Sequence, residues 1–205
     1  ILITGGGGFI GGAVIRKLLK ESDSIIYNLD KMGYASDLTS IENVLINLNI
    51  EEDTRHKLLK TDLSNYSETL SAVNYSDPDL IMHLAAESHV DRSIAGPSEF
   101  IKSNIIGTFN LLEASKVHYE KLSYKRKNHF RFHHISTDEV FGTLGEYGKF
   151  NEDTKYDPRS PYSASKASSD HLVNSWHHTF GLPTLMTNCS NNSVSYTHLR
   201  AHETQ

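Results

Sequence analysis

A single cysteine, Cys189, is all this chain contains. An internal disulfide is therefore excluded, and a reducing, cytoplasmic setting is expected. No apolar run approaches the ~18 residues that a membrane span needs, and the first apolar residues lead into a glycine turn rather than a signal cleavage site. Positive charge is not in excess: 20 Lys and Arg stand against 25 Asp and Glu, for a net charge of -5. That balance gives no footprint for nucleic acid or for an anionic lipid surface. Lys125-Arg126-Lys127, the densest basic run, reads as a solvated loop. His89 lies near Glu87 and Asp91, but the spacing is that of a polar loop and predicts no metal site.

What is present is an ordinary globular composition, 205 residues with 38% hydrophobic and 22% charged, enough for one main domain with one sizeable core. Short apolar runs alternate with segments of helical periodicity. Ile1 to Thr4, Ser24 to Asp30, His56 to Thr61, Leu80 to Leu84, Phe130 to Ser136 and Thr184 to Asn188 read as strands. Between them fall helical patterns at Phe9 to Leu19, within Leu38 to Leu48, at Asn65 to Asn74, at Ser98 to Lys121 and at Ser163 to Phe180. In the long Ser98 to Lys121 helix, Phe100, Ile101, Ile105, Phe109 and Leu112 are expected to face inward. Strands alternating with helices predict an α/β fold, a doubly wound parallel sheet with helices on both faces. Ligands bind such sheets beyond the carboxyl ends of the strands, where Gly5, Asp30, Asp62, Ala85 and Thr137 fall. The segment Gly142 to Pro161, rich in Gly, Pro and charge, reads as an active-site loop.

Gly5, Gly8 and Gly11 form a G-x-x-G-x-x-G pattern between the first strand and the first helix. Glycines there permit a tight turn, close approach of backbone to a pyrophosphate, and helix-on-strand packing, while the helix amino end favours phosphate. Asp30 follows Gly11 by 19 residues at the next strand end, placed to accept hydrogen bonds from both hydroxyls of an adenosine ribose. Its charge would repel a 2′-phosphate, so NAD is expected over NADP, with Lys31 alone arguing the other way. Asp62-Leu63 could contact the adenine or cap a helix. Around Ala85-Ala86 the residues are small enough for a cofactor to pass close to the backbone, and Glu87, Ser88, His89, Asp91 and Arg92 are either ligand contacts or loop residues.

Tyr162 and Lys166 stand four apart on one helix face. A neighbouring ammonium favours the phenolate and is expected to lower the Tyr162 pKa, making it a base for a hydroxyl proton as hydride leaves the same carbon. Before that pair comes Thr137-Asp138-Glu139 at a strand end. Adjacent side chains on an extended segment point apart, so one carboxyl could protonate a leaving hydroxyl while the other collects a proton from carbon.

Taken in order, TGGGGFIGG, LDKMGYASDL, HLAAESHVDRSI, STDEVFG, PYSASKASSDHL and NCSNN resemble the extended short-chain dehydrogenase/reductases, specifically the nucleoside-diphosphate-glucose 4,6-dehydratases. The resemblance covers residues 1–192. It implies an NAD-binding Rossmann domain and a hydro-lyase that oxidises carbon 4 of a nucleoside-diphosphate-glucose, most closely a thymidine-linked one. Water is then lost across carbons 5 and 6, and the hydride returns to carbon 6. It implies catalytic roles for Thr137, Asp138, Glu139, Tyr162 and Lys166. Cofactor contacts fall at Gly5, Gly8, Phe9, Ile10, Gly11, Asp30, Lys31, Asp62, Leu63, Ala85, Ala86, Ser103, Tyr162, Lys166 and Asn192, and substrate contacts at Ser88, Thr137 and Asn191. It also implies a homodimer joined through the two long helices. Gly7, where alanine is usual, and Phe141, where tyrosine is usual, are mild departures.

From Ser193 the family's pattern is lost, and residues 193–205 read as an unrelated, loosely ordered tail. The family's nucleotide-reading region is thus largely missing, and the start at Ile1, without methionine, also reads as a fragment. A sugar epimerase or decarboxylase shares the glycine turn and the Tyr-Lys pair, but generally lacks the acidic pair. A non-catalytic dinucleotide-binding module is the reading from a different class.

Overall fold

The structure, a computed structural model, describes residues 1–51, 53–144 and 147–190. The expected tail, together with Asn191 and Asn192, lies outside the described residues. Six parallel strands form one sheet: β1 (Leu2–Thr4), β2 (Ile26–Asp30), β3 (His56–Lys60), β4 (Leu80–His83), β5 (Arg131–Thr137) and β6 (Thr184–Cys189), in the order β3-β2-β1-β4-β5-β6. The expected doubly wound parallel sheet is thus observed.

The order explains where the helices go. Right-handed crossovers running outward from β1 to β3 place α1 (Phe9–Glu21) and α2 (Thr39–Asn47) on one face. The chain then reverses direction across the sheet. The helices α3 (Tyr66–Ser76), α6 (Gly107–Lys121) and α8 (Pro161–Phe180) consequently pack together on the other face. Short helices α4 (Val90–Ala95), α5 (Pro97–Phe100) and α7 (Tyr124–His129) complete the set. Alternation along β1 feeds both layers. Leu2 joins Val73, Leu111, Leu112, Phe130, Phe132 and Val173 on one side, and Ile3 joins Ile15, Leu19, Ile26, Ile41 and Val44 on the other. The reversal between β1 and β4 opens a crevice at their carboxyl ends, where a ligand can enter.

Three expectations are corrected. The long helix from Ser98 to Lys121 is not uniform: α5 runs through a π-helical segment, Ile101–Ile106, into α6. The wider turn shifts the phase, so Phe100 and Leu112 are buried as expected while Ile101 and Phe109 are 45% and 39% exposed. Asn104, Thr108, Asn110, Ser115 and His118 turn inward in their place. Each finds a partner at depth, for example Asn110 Nδ2 donating to the Leu63 carbonyl at 2.8 Å and His118 Nε2 meeting the Pro78 carbonyl at 2.8 Å.

The basic run is helix α7 rather than a loop. Its Arg126 reaches back to Asp77 at 2.9 Å and Asp79 at 2.7 Å, and so ties α7 to the end of α3. Asp138 and Glu139 sit on a 3-10 turn, Asp138–Phe141, not on an extended segment. Thr137 caps that turn by accepting from the Glu139 N–H at 3.3 Å.

Helix α8, which carries Tyr162 and Lys166, begins sharply for a local reason. Pro161 occupies its first turn, and Ser160 and Ser163 exchange bonds in a capping box, with Ser163 N–H donating to Ser160 Oγ at 3.0 Å and Ser160 N–H to Ser163 Oγ at 2.9 Å. It stops at Gly181, whose φ of +67° the other residues disfavour. No helix among the described residues is long and apolar enough to cross a membrane.

Candidate active site

A cleft of about 310 Å³ lies over the carboxyl ends of the central strands. Its floor is the glycine turn. Gly5 has φ +72° and donates to the Leu29 carbonyl at 2.8 Å, and a Cβ there would stand 2.7 Å from the Ala85 backbone. A Cβ on Gly11 would stand 2.1 Å from the Gly5 carbonyl oxygen. These glycines are required by the close approach of chain to chain. Gly8 is different: its nearest would-be neighbour is 3.3 Å away, and it brings no side chain to cap α1. The first N–H groups of that helix accordingly point to the cleft with the positive end of the helix dipole.

One wall comes from the end of β2. The buried Asp30 accepts from Gly7 N–H at 2.9 Å, Met32 N–H at 2.7 Å and Ser36 Oγ at 2.9 Å. An ionised carboxyl has about four acceptor positions, so about one is left toward the cleft. A Cβ on Gly7 would stand 2.9 Å from Ser36 Cβ and 3.0 Å from Asp30 Oδ2, which gives the glycine at this position a local reason. Lys31 bridges to Glu87 at 2.7 Å, and the Arg92 guanidinium covers the Tyr34 ring at 3.8 Å, so the loops after β2 and β4 meet across the cleft.

The opposite wall holds Thr137, Tyr162 and Lys166, with Cys189 and Ser190 behind. Tyr162 and Lys166 are 4% and 5% exposed. The Lys166 ammonium donates to the Ile135 carbonyl at 2.9 Å, and burial pushes its pKa down to about 8. The expectation that Tyr162 would be lowered is not met. Burial first, then the nearby Glu139 carboxylate, drives its phenol well up, against a hydrogen bond with Thr137 that favours the phenolate. Burial, helped by Asp138, also raises the Glu139 carboxyl and makes it a stronger base.

One cleft therefore gathers Gly5, Gly8, Phe9, Ile10, Gly11, Asp30, Lys31, Asp62, Leu63, Ala85, Ala86, Ser88, Ser103, Thr137, Tyr162 and Lys166. Asp138 and Glu139 are not among the residues that line it, but lie on the turn directly after Thr137, where the charge of each acts on Tyr162. Asp62 accepts from Ser64 N–H at 2.9 Å, while the cap of α3 is Asn65, which accepts from Glu68 N–H at 3.3 Å. Among the described residues no group of His, Cys, Asp and Glu is arranged to hold a metal.

The sequence reading missed several supports. Asn104 clasps the Glu87 backbone at both N–H and carbonyl, 2.8 and 2.9 Å, and reaches Ser165 at 2.8 Å. Asp170 is 1% exposed and takes bonds from His134 Nε2 at 3.0 Å, Ser136 Oγ at 2.7 Å and Tyr156 Oη at 3.0 Å. A signal for Asp170 was available, since it continues the four-residue step from Tyr162 through Lys166. Gly33, Tyr34, Ala35 and Ser36 also line the cleft.

Comparison with known proteins agrees with this geometry. A model of the GDP-mannose 4,6 dehydratase family matches residues 2–204. The dTDP-glucose 4,6-dehydratase of Salmonella typhimurium is 49% identical over 205 residues, covering 96% of this chain and 55% of that protein. The enzyme of the same name from Neisseria meningitidis is 49% identical over 197 residues, covering 96% and 54%. Among solved structures, DesIV, a dTDP-glucose 4,6-dehydratase from Streptomyces venezuelae with NAD and TYD bound, superposes with a TM-score of 0.80 at 35% identity, over 96% of this chain and 57% of that one. The chain thus spans about half the length of the relatives it matches. With its six-stranded doubly wound sheet and a family match along nearly its whole length, the chain belongs to the GDP-mannose 4,6 dehydratase family.

Proposed function

We propose that the protein carrying this chain is an NAD-dependent dTDP-glucose 4,6-dehydratase, and that residues 1–192 supply its cofactor site and its catalytic groups. The observation that carries the reading is the convergence of Thr137, Tyr162 and Lys166 on one cleft, with two carboxyls on the turn directly after Thr137. A relative at 49% identity bears that name, as does a solved structure that superposes with a TM-score of 0.80.

The residues fit a dinucleotide. Gly5 and Gly11 keep the turn too tight for any Cβ, the α1 amino end offers N–H groups to a pyrophosphate, and Asp30 retains acceptor capacity for ribose while opposing a 2′-phosphate. Gly8, Phe9 and Ile10 begin α1, Lys31 follows Asp30, and Asp62, Leu63, Ala85, Ala86 and Ser103 line the remainder. Bound NAD would take up the hydride from carbon 4 of the sugar and return it to carbon 6 after water is lost.

In this reading Thr137 holds the sugar 4-hydroxyl and Tyr162 takes its proton. Burial and Glu139 both oppose the phenolate and the Thr137 hydrogen bond favours it, and this reading assigns the Lys166 ammonium, one turn along α8, as the positive charge that assists the transfer. Once carbon 4 is a ketone, the proton on carbon 5 is acidified and Glu139 removes it. Asp138 protonates the departing 6-hydroxyl. Ser88 contacts the substrate, and Asn191 and Asn192, as substrate and cofactor contacts, extend the site beyond the described residues. Ile101, Phe109 and Phe180 leave an apolar face exposed on α6, α8 and the π-helical segment, which supports a homodimer joined there. The single cysteine supports a cytoplasmic setting.

The test is incubation of the full-length protein with dTDP-glucose and with UDP-glucose, analysing the sugar product. A 4-keto-6-deoxy sugar from dTDP-glucose is expected, and an Asp138→Asn/Glu139→Gln double variant should lose at least about 100-fold in its formation. Release of a carbon-4 epimer in place of the dehydrated sugar, or cofactor binding with no turnover, would overturn the reading.

A further inference from the structure

Asp138 and Glu139 ride on a turn that does little to hold itself. The 3-10 turn Asp138–Phe141 is short, and its own bonds are long: Glu139 N–H to Thr137 Oγ1 and Gly142 N–H to the Glu139 carbonyl, each at 3.3 Å. A shorter bond comes from outside. Asp157 N–H, in the loop leading into α8, donates to the Val140 carbonyl at 2.9 Å. Gly142, with a φ of +85°, lets the two segments run so close that a Cβ there would stand 2.7 Å from the Asp157 carbonyl oxygen. Next to Asp157 is Tyr156. Its ring meets that of Phe141, the last residue of the turn, edge-on with centroids 5.2 Å apart, and Phe141 also touches Phe150 at 5.3 Å.

The other end of Tyr156 is anchored in the core. Its Oη donates to Asp170 at 3.0 Å, and its ring lies 5.3 Å from that of His171, so both contacts are made to α8. Asp170 is a firm anchor, 1% exposed and bonded to β5 through His134 and Ser136. Burial first, and the Asp170 charge second, raise the Tyr156 phenol well above its ordinary range, so it remains a donor. A continuous line of contacts thus runs from α8 through Asp170, Tyr156 and Phe141 to the turn. We propose that Tyr156 is a positioning residue for Asp138 and Glu139: it sets the turn that carries them against the helix that carries Tyr162.

The proposal rests on the dehydratase reading for its kinetic consequence, and there it separates two steps. The groups assigned to oxidation are held by other means: the Thr137 carbonyl accepts from Asn188 at 3.1 Å, Lys166 donates to the Ile135 carbonyl at 2.9 Å, and the capping box fixes the start of α8 beside Tyr162. Loosening Tyr156 should therefore slow the loss of water and spare the oxidation.

The experiment makes two measurements on the full-length protein. In a single turnover of dTDP-glucose, the absorbance of the reduced nicotinamide rises with oxidation and decays with dehydration and hydride return. Tyr156→Phe keeps the ring beside Phe141 and removes the anchor bond, whereas Phe141→Leu keeps the anchor and removes the ring contact. Each should slow the decay by about tenfold or more while leaving the rise within about twofold of the unmodified protein. Arg159→Ala, which removes an exposed ion pair with Asp157 on the same loop, should change neither. Amide hydrogen exchange without substrate, read by mass spectrometry, is the second measurement. Residues 139–142 and Asp157 should exchange about tenfold faster in Tyr156→Phe and Phe141→Leu, with α8 unchanged.

An equal slowing of rise and decay, an unchanged decay, or unmoved exchange at the turn would overturn the proposal. Should one of the two variants fail to fold, the other breaks the same line of contacts and decides it. An unmodified protein that never reduces its nicotinamide would sink the dehydratase reading, while hydrogen exchange would still decide whether Tyr156 sets the turn.

Discussion

Replacing His134 by glutamine should flatten the acid dependence of stability. His134 has no solvent exposure and donates from Nε2 to Asp170 at 3.0 Å, while its Nδ1 is buried without a partner. Burial first, and the Lys166 charge second, hold its pKa to about 4, against about 6.5 in the unfolded chain. Because the folded state resists the proton that the unfolded state accepts, the contribution is fully present above about pH 6.5 and is lost progressively as pH falls toward 4. Between about pH 7 and pH 5 the loss comes to about 2 kcal/mol, a large part of the ~5–15 kcal/mol that hold a typical domain together.

Glutamine can place an amide N–H near the position of Nε2, keeping the bond to Asp170 while removing the titration. Urea unfolding followed by the fluorescence of the single tryptophan, Trp176, at the two pH values gives the comparison directly. The wild-type protein should lose about 2 kcal/mol more than His134→Gln over that interval. Other buried histidines, above all His83, which burial pushes far down, weaken both proteins in acid and cancel in the difference. Equal losses in the two proteins would refute the argument that His134 is held neutral by the fold.

The glycine turn and the helix α7 clamp give two further tests. Gly11→Ala drives a Cβ to within 2.1 Å of a backbone oxygen that cannot yield and should cost about 1–3 kcal/mol or more in unfolding free energy by urea titration, whereas Gly8→Ala, with its nearest atom 3.3 Å away, should keep the fold but weaken NAD binding measured by calorimetry. Equal stability loss in both would refute this division. Arg126→Ala removes the bonds to Asp77 and Asp79, which lie on a partly exposed surface, and should cost about 1 kcal/mol. High salt should shrink that difference, and an undiminished difference would mean that the side chain acts by packing alone.

The strands and the glycine turn were legible because a parallel sheet buried on both faces demands short continuous apolar runs, and because the turn's backbone leaves no room for Cβ atoms. Residues of the long central helix were harder. Ile101 and Phe109 looked like core by periodicity, yet the π-helical segment rotates them outward and turns Asn104 and Thr108 inward. A sequence pattern based on hydrophobicity cannot see that substitution, since buried polar groups are tolerated only when each has a specific partner in the fold. The same reason hid Asp170. Its carboxyl accepts hydrogen bonds from His134, Ser136 and Tyr156, which approach from other stretches of chain. The pairing of Arg126 with Asp77 and Asp79 was equally invisible, so a clamped helix read as a solvated loop.

The polar groups beneath the cleft are more constrained than their separate contacts suggest. The Thr108 hydroxyl has one proton, and it goes to the Asn104 carbonyl at 2.6 Å. Thr108 must then accept from His83 Nε2 at 2.9 Å, so His83 carries its proton there and offers Nδ1 to the Thr4 hydroxyl at 2.7 Å. Thr4 in turn accepts the Ala85 N–H at 3.1 Å. The donations run in one direction, from the Ala85 N–H in the loop after β4 through Thr4 on β1 and His83 on β4 to Thr108 and the Asn104 carbonyl of the π-helical segment. Burial keeps His83 neutral, so this scaffold fixes position without adding charge. The field acting on Tyr162 is therefore left to the carboxylates around it, Glu139 and Asp138 on the turn after Thr137 and Asp170 along its own helix, all of which oppose the phenolate.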